Sequence, residues 1–305
     1  MPANNRKNPF LLAPASAFAV LVLLLIFGFA EGDGGVKTSF LVMILTLLAF
    51  GLPLILLVLL RGAKGCEIFP LHTPKKRELL LCLSGFFTLV FLTATLKYAV
   101  FGVDFDYQRI TLYGFELSFP ETTMEGLLLL FSAVVVPAVM EELLLRGAFF
   151  YEYRKAGVLA SVLMSSLFSA MMGLSFGAFP ILLISAILFA MIRFLTGNLA
   201  ASMLVHMAYG VYTVLLEKYL WFMSFSDESR GLFFFLTVFF FGGSLLWFLH
   251  LAEKTLRKRA AANEEAPIQA PKGKMILVLF DVFTAAPLWV LLCTYLVISV
   301  IGLFI

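Results

Sequence analysis

Long apolar stretches separated by short polar connections make up the pattern of this chain. A helix needs about 20 apolar residues to cross the ~30 Å hydrocarbon core of a bilayer, and stretches of that length recur throughout the sequence. Few segments alternate apolar and polar residues with a period of two, so the pattern favours helices over the strands of a membrane barrel. We therefore predict an all-α fold, a polytopic membrane helix bundle with about nine transmembrane helices. The predicted spans are Phe10–Ala30, Phe40–Leu60, Leu79–Gly102, Met124–Phe150, Val158–Phe176, Ala178–Leu195, Leu199–Leu220, Leu232–Ala252 and Met275–Phe304.

Two of these spans depart from the ordinary length. The sixth, Ala178–Leu195, is short and follows the fifth after a tight connection. The ninth, Met275–Phe304, is longer than the bilayer is thick, which predicts that it tilts or extends past the membrane. The first span has no clear signal-peptide cleavage pattern, and we expect it to be retained.

The basic residues between the spans predict the orientation of the chain. Cytoplasmic connections carry an excess of Lys and Arg, and Arg6 and Lys7 precede the first span. With the N-terminus inside, the even-numbered connections are cytoplasmic, and they contain Arg61, Lys64, Lys75, Lys76, Arg77, Arg154, Lys155, Arg193, Lys254, Arg257, Lys258, Arg259, Lys272 and Lys274. The odd-numbered connections are acidic or neutral. We therefore predict a multi-pass protein of the cell (inner or plasma) membrane with a cytoplasmic N-terminus.

The composition excludes several classes of protein. Hydrophobic residues make up 62% of the chain and charged residues only 13%, which no soluble domain requires. A net charge of +3 is too small to indicate a nucleic-acid partner, so membrane lipid is the partner that the composition implies. Cys66, Cys82 and Cys293 lie far apart and include no CxxC spacing, which predicts neither a disulfide framework nor a thiolate metal site.

Two connections have a composition of their own. The segment Phe105–Pro120 mixes polar and aromatic residues, and we expect it to lie along the outer interface. The segment 253–274 is basic and contains Pro267 and Pro271, which predicts a flexible cytoplasmic linker. These boundaries divide the chain into an N-terminal three-span region (1–123), a core (124–220) and a C-terminal two-span region (221–305).

An acidic doublet lies inside the fourth span, which is mostly apolar apart from Glu125 near its start. Glu141, Glu142 and Arg146 fall within six residues, and each charge at membrane depth costs about 2.5–3.5 kcal/mol on insertion scales. Glu142 and Arg146 are four residues apart and can pair along one face of a helix. Glu141 is rotated by about 100° from Glu142 and lacks that partner, so it is the carboxylate available for chemistry. Pro137 should kink this helix beside the doublet.

His206 is the polar residue in another span that fits the same site. It lies about eight residues, or ~12 Å, from the predicted cytoplasmic end of its helix, and Glu141 lies ~15 Å from the same side. We predict a shared polar site, although a lone histidine in a span also serves as a hydrogen-bond partner between helices. Tyr209 and Tyr212 share the sector of His206 on this helix.

Three motifs in this order resemble the type II CAAX prenyl endopeptidase and bacteriocin-processing family (CPBP or Abi) of intramembrane glutamic endopeptidases. The first is Glu141-Glu142-xxx-Arg146 followed by Gly147, and the second is the run from Ser165 to Met172, which is similar to the family's FxxxH. The third is the run from Thr196 to His206, which resembles the approach to the family's HxxxN. The similarity covers roughly Met124–Tyr212.

The resemblance implies a role for each matching residue. Glu141 would activate a water molecule for attack on a peptide carbonyl, Glu142 and Arg146 would form a structural pair, and His206 would donate to the developing oxyanion. Two positions differ from the family, because Met172 stands in place of a histidine and Gly210 in place of an asparagine. A thioether is only a weak acceptor and glycine has no side chain, so neither residue can fill the missing role. Ser169, Ser175 or Tyr209 could compensate in part.

Two functions remain open at this point. One is an intramembrane endopeptidase with the catalytic set Glu141, Glu142, Arg146 and His206, acting on a membrane-associated peptide or a lipidated protein. The other is a catalytically impaired family member that binds a membrane peptide as a scaffold or immunity-like protein. We expect no cofactor and no metal, because a catalytic zinc site usually has three protein ligands and Glu142 is already paired. No internal repeat supports a transporter.

Overall fold

The computed structural model describes residues 9–28, 35–62, 65–101, 110–222, 227–261 and 280–301. Apart from one short hairpin, the regular structure in these ranges is helical. The hairpin pairs β1 (Ile110–Leu112) with β2 (Phe115–Leu117). The helices are α1 (Pro9–Gly28), α2 (Val36–Arg61), α3 (Gly65–Ile68), α4 (Lys76–Phe101), α5 (Thr123–Tyr153), α6 (Val158–Met172), α7 (Phe179–Thr196), α8 (Leu199–Val211, continuing as Tyr212–Leu216 and Glu217–Phe222), α9 (Asp227–Ala261) and α10 (Ala286–Ile301).

The predicted membrane helix bundle is confirmed. Six of the described helices are long and apolar enough to cross a membrane, namely α2, α4, α5, α7, α8 and α9. Three shorter apolar helices coincide with the first, fifth and ninth predicted spans, and their apolar parts are Leu11–Ile26, Val158–Met172 and Ala286–Val300. Asn198 caps the N-terminus of α8, because its side-chain oxygen accepts a hydrogen bond from the N–H of Ala200 at 3.0 Å.

Two expectations about the C-terminal region need correction. The ninth span is broken at Thr284 and Ala285 rather than continuous, since Pro287 can occupy the first turn of a new helix but not the interior of an old one. The predicted linker is helical as far as Ala261, because it contains no helix breaker up to there and Arg257 pairs with Glu253 one turn earlier, at 2.5 Å. The remainder of the linker, 262–274, lies outside the described residues.

The basic connections meet at one end of the bundle, which we call the basic end. Arg61 at the end of α2 donates from Nε to Glu152 in the last turn of α5, at 2.6 Å. Asn198 donates from its side-chain nitrogen to the carbonyl of His72 at 2.9 Å, which joins the connection before α4 to the one before α8. Arg259 of α9 donates to the carbonyl of Phe194 in α7 at 2.7 Å. These contacts show that the predicted cytoplasmic connections share one side.

The hairpin penetrates the bundle instead of lying along its surface. Its two-residue turn is Tyr113-Gly114, and both residues have positive φ, 52° and 88°, as a type I′ turn requires. Tyr113 is only 4% exposed, and its ring lies 5.7 Å from the ring of Phe50 in α2. The expectation of an interfacial segment is therefore wrong for residues 110–117, while 105–109 lie outside the described residues.

The depth of the hairpin follows from simple lengths. Tyr113 contacts Glu141, which lies eighteen residues along α5 from Thr123, or ~27 Å at 1.5 Å per residue. The nine residues that lead from Tyr113 to Thr122 span at most about 30 Å when extended. Non-helical backbone is tolerated at membrane depth where it is buried in protein or lines a water-filled cavity. One face of the hairpin is buried, with Tyr113, Phe115 and Leu117, and the other is exposed, with Thr111, Gly114 and Glu116.

Candidate active site

The helix α5 departs from α-helical geometry in two places. A π-helical segment covers Phe131–Val135, and another covers Glu142–Phe149. Pro137 has no N–H and its ring crowds the carbonyl four residues earlier, so the helix widens just before it. The second segment contains the charged motif, and π-helical turns occur frequently at functional sites.

Glu142 is the centre of a buried polar cluster. Its side chain is fully buried, and Oε1 lies 3.2 Å from Nη1 of Arg146 and 3.0 Å from Nδ1 of His206. The predicted pair of Glu142 with Arg146 is thus present. Its Oε2 has no hydrogen-bond partner among the residues that the structure describes.

The imidazole of His206 is held on two sides. Its Nδ1 faces Glu142, and its ring stacks on the ring of Phe189 in α7 at a centroid distance of 4.6 Å. Because Arg146 balances the charge of Glu142, the carboxylate is best assigned as an acceptor of the Nδ1 proton. In the neutral ring, Nε2 then carries the lone pair and can accept a proton, whereas the resemblance implied a donor. The side chain is 18% exposed, so this edge is not fully enclosed.

Glu141 has a partner that the sequence did not indicate. Tyr113 at the tip of the hairpin donates its hydroxyl proton to Oε1 of Glu141 at 2.5 Å. The expectation of an unpartnered carboxylate is therefore wrong. The doublet and the imidazole do meet, but through Glu142.

Arg146 is anchored from three directions in addition to Glu142. It donates to the hydroxyl of Ser169 in α6 at 3.3 Å and to the carbonyl of Ala186 in α7 at 3.2 Å. Its guanidinium also lies 5.5 Å from the ring centre of Phe189. Arg146 thus joins α5, α6 and α7 around the site, and Ser169 supports the arginine rather than facing a substrate.

The two positions that differ from the family both lie in packed surroundings. Met172 is 2% exposed and belongs to the main apolar core. At Gly210 an added Cβ would come within 2.9 Å of Cγ1 of Val134 in α5. Valine is stiff at χ1, so the room for the family's asparagine is already occupied.

Tyr209 and Tyr212 of α8 lie beyond His206 along the helix, and their ring contacts do not include Glu142. The rings of Tyr209 and Tyr212 lie 6.0 Å apart, and Tyr209 lies 6.3 Å from Phe189. Further along the helix, Glu217 pairs with Lys97 of α4 at 2.5 Å. These contacts link α8 to its neighbours and do not reach Glu142. Within the described part of the chain, no group of three or more His, Cys, Asp or Glu side chains is placed to hold a metal ion.

Sequence reasoning missed Tyr113 and Phe189 for a common reason. Each reaches the site from an element other than the one that carries the motif, and neither belongs to a local pattern. The one signal available for Tyr113 was the dipeptide Tyr-Gly between short alternating runs, Ile110–Leu112 and Phe115–Leu117, which is a weak form of a hairpin signal.

Comparison with known proteins finds a match in the segment that contains this site. The family model described as type II CAAX prenyl endopeptidase Rce1-like matches residues 123–212, which begin at the start of α5 and include the acidic doublet, Arg146 and His206. No curated protein and no solved structure matches the chain. The hairpin and Tyr113 lie outside the matched segment. The match confirms the resemblance seen in the motifs: residues 123–212 of this membrane protein are similar to the Rce1-like family of type II CAAX prenyl endopeptidases.

Proposed function

We propose that this protein is an intramembrane endopeptidase that hydrolyses a peptide bond in a membrane-associated or lipidated protein. The observation that carries the proposal is the contact of His206 with Glu142 at 3.0 Å, beside Glu141, within the matched segment. A carboxylate that orients an imidazole, next to a second carboxylate, supplies the proton acceptors that water attack on an amide needs.

Glu141 is the proposed general base. The water oxygen attacks the carbonyl carbon while its proton passes to the carboxylate, and the same proton then moves to the amide nitrogen as the C–N bond breaks. Tyr113 holds one oxygen of Glu141, which leaves the other to meet the water. This hydroxyl is our candidate for the positioning role of the histidine that Met172 replaces. The Nε2 of His206 is a second proton acceptor beside the doublet.

A second candidate function rests on Met172 and Gly210, the positions at which the family's histidine and asparagine are absent. Met172 is buried and Val134 occupies the space beside Gly210, and a missing proton-transfer partner and oxyanion donor together could cost on the order of 10⁴-fold in rate. A family member with this defect would bind a membrane peptide without cleaving it.

One experiment separates the two functions. Purified protein in nanodiscs is incubated with a farnesylated peptide that ends in a CAAX sequence, and mass spectrometry follows both bound peptide and released fragments. Cleavage that is lost in Glu141→Gln, and retained in Glu121→Gln at an exposed position, supports the endopeptidase. Saturable binding without cleavage supports the binding protein. Cleavage unchanged by Glu141→Gln contradicts the proposed base.

A set of substitutions tests whether Met172 and Gly210 limit the activity. Met172→His with Gly210→Asn restores the family residues, and Val134→Ala removes the atom that an asparagine would strike. We expect the triple variant to cleave faster than the wild type, whereas Gly210→Asn alone loses about 1–3 kcal/mol of stability through overpacking. A folded triple variant with no gain in turnover would count against the transferred geometry.

A further inference from the structure

The hairpin has one buried face and one exposed polar face. From Tyr113 to Ser118 the chain alternates strictly between buried and exposed residues, as a strand does when only one of its faces packs on a core. The exposed residues of the hairpin and of the position after it are Thr111, Gly114, Glu116 and Ser118. Each of these is polar or lacks a side chain, whereas the buried residues between them are aromatic or aliphatic.

The exposed face lies at membrane depth. Tyr113 contacts Phe50, fourteen residues or ~21 Å along α2 from Val36, and Glu141, which lies ~27 Å along α5. Glu116 is three residues from Tyr113, or ~10 Å at the rise of a strand, so it lies ~11–17 Å in from the ends of these helices. With 31 residues, α5 exceeds the ~30 Å hydrocarbon core by ~16 Å. Even with half of that excess on this side, Glu116 remains within the core.

The chemistry of this face requires water rather than acyl chains beside it. Ionisable residues at membrane depth face the interior of a bundle or a water-filled cavity, and Glu116 is exposed. Thr111 pairs with Glu116 across the hairpin, so these two polar side chains point to the same face. The hairpin also has two outer edges, and open sheet edges do not occur against hydrocarbon.

A cleft lies where the hairpin leaves the bundle, at the end opposite the basic end. It is lined by the start of α2, the segment that follows β2 and the first turns of α5, and its polar side chains are Ser39, Ser118 and Glu125. Its volume of about 30 Å³ has room for at least one water molecule. Because Ser118 belongs to this cleft and is exposed next to β2, polar surface continues from the cleft onto the exposed face of the hairpin.

We propose that the exposed face of the hairpin is the route by which water reaches Glu141 from the end opposite the basic end. Glu141 is itself partly exposed, and an added Cβ at Gly114 would meet nothing within 4 Å, so the turn that carries Tyr113 has open space on its exposed side. The hydration of this face is independent of the proposed function. Its use by the water that hydrolyses the peptide rests on that function.

The test measures how fast a water-borne reagent reaches the face. In protein without native cysteines, reconstituted in nanodiscs, Thr111→Cys and Glu116→Cys are treated with a charged methanethiosulfonate reagent. The control is Phe131→Cys, on a stripe of exposed apolar side chains of α5 that also contains Met124 and Leu127. Apolar surroundings disfavour the reactive thiolate, so we expect both hairpin variants to react at least about 10-fold faster than the control.

The control position is matched in depth, because Phe131 lies eight residues or ~12 Å along α5 from Thr123. Reaction of both hairpin variants as slowly as Phe131→Cys would mean that the face meets lipid. That result overturns the proposal and leaves the proposed function standing. Thr111 and Glu116 are both exposed, and if one variant fails to fold, the other provides the same measurement.

A second measurement tests whether the hydrolytic water uses this route. Modified Thr111→Cys should lose most of its cleavage of a farnesylated CAAX peptide through a lower kcat, with KM unchanged, because the adduct displaces water and not the peptide. Modified Arg257→Cys, at a highly exposed position of α9, should cleave normally. Fast modification with unchanged cleavage, or with a rise in KM alone, overturns the route. Fast modification of a protein that cleaves no peptide even before treatment supports the hydrated face and contradicts the proposed function.

Discussion

At the scale of single residues, two neighbouring carboxylates have opposite surroundings. Glu142 is fully buried between a guanidinium and an imidazole, while Glu141 is partly exposed and accepts a hydrogen bond from a phenol. Consecutive residues of a helix point about 100° apart, so the two side chains face different neighbours. This difference divides their roles into a structural carboxylate and a candidate base.

The division predicts unequal effects on stability. Glu142→Gln keeps the shape but leaves Arg146 as a buried charge without its partner, and we expect a loss of about 3–5 kcal/mol. Glu141→Gln retains an oxygen that Tyr113 can bond, and its cost should stay within about 1 kcal/mol. Thermal unfolding of both variants in one detergent measures the difference. Equal losses would mean that Glu142 is not the structural member of the doublet.

Tyr113 predicts an effect on turnover rather than on folding. Tyr113→Phe keeps the ring against Phe50 and removes only the hydroxyl that bonds Glu141. If the hydroxyl contributes as much to the rate as a positioned hydrogen-bond donor usually does, its removal should lower kcat by about 10²–10³-fold with little change in KM. Tyr219→Phe changes a tyrosine that is 65% exposed, and serves as the control. A rise in KM alone would place Tyr113 in substrate binding instead.

At the scale of elements, the hairpin depends on two left-handed residues in its turn. Glycine adopts positive φ without cost, but a tyrosine with φ of 52° is uncommon and is maintained by its surroundings. Here Phe50 and Glu141 supply those contacts. The strained turn is what presents the hydroxyl to α5.

Two glycines with open space around them test this turn. An added Cβ would meet nothing within 4 Å at Gly114 or at Gly65, but only Gly114 has a positive φ, of 88°. We therefore expect Gly114→Ala to destabilise the protein by about 1–2 kcal/mol. Gly65→Ala should be neutral or slightly stabilising in a thermal unfolding assay. Similar results for both alanines would mean that the turn does not hold the hairpin in place.

At the scale of the whole molecule, the bundle has two chemically different ends. The basic end contains Arg61, the connection before α4 and the end of α9. The opposite end contains Lys97 with Glu217, and Lys218 beside Phe119 at 4.5 Å. The hairpin enters from this opposite end, so Tyr113 reaches the doublet from the side away from the basic end.

The charge pattern predicts which end faces the cytoplasm. In a variant without native cysteines, Arg257→Cys places a thiol at the basic end and Glu121→Cys places one at the other end, both at exposed positions. A membrane-impermeant maleimide added to intact cells should label position 121 and not position 257. The reverse labelling would invert the predicted orientation and leave the fold unchanged.

Much of the architecture was predictable because it depends on local properties. The apolar spans, the cap at Asn198 and the pair of Glu142 with Arg146 each follow from residues close in sequence. The break before α10 was visible as Pro287 but was read as part of one long span. The hairpin was missed because its burial requires the surfaces of α2 and α5, which no window of the sequence contains.

The sequence by itself determined that this is a membrane helix bundle with a charged motif on one span, because apolar length and helical spacing are encoded along one helix. The motif also resembles that of the CAAX endopeptidase family. Only the tertiary structure decided that His206 contacts Glu142, that Tyr113 contacts Glu141 and that Val134 fills the space beside Gly210. Hydropathy sets the length of a span but not its rotation about its own axis. That rotation, fixed by packing against other helices, selects which side chains meet.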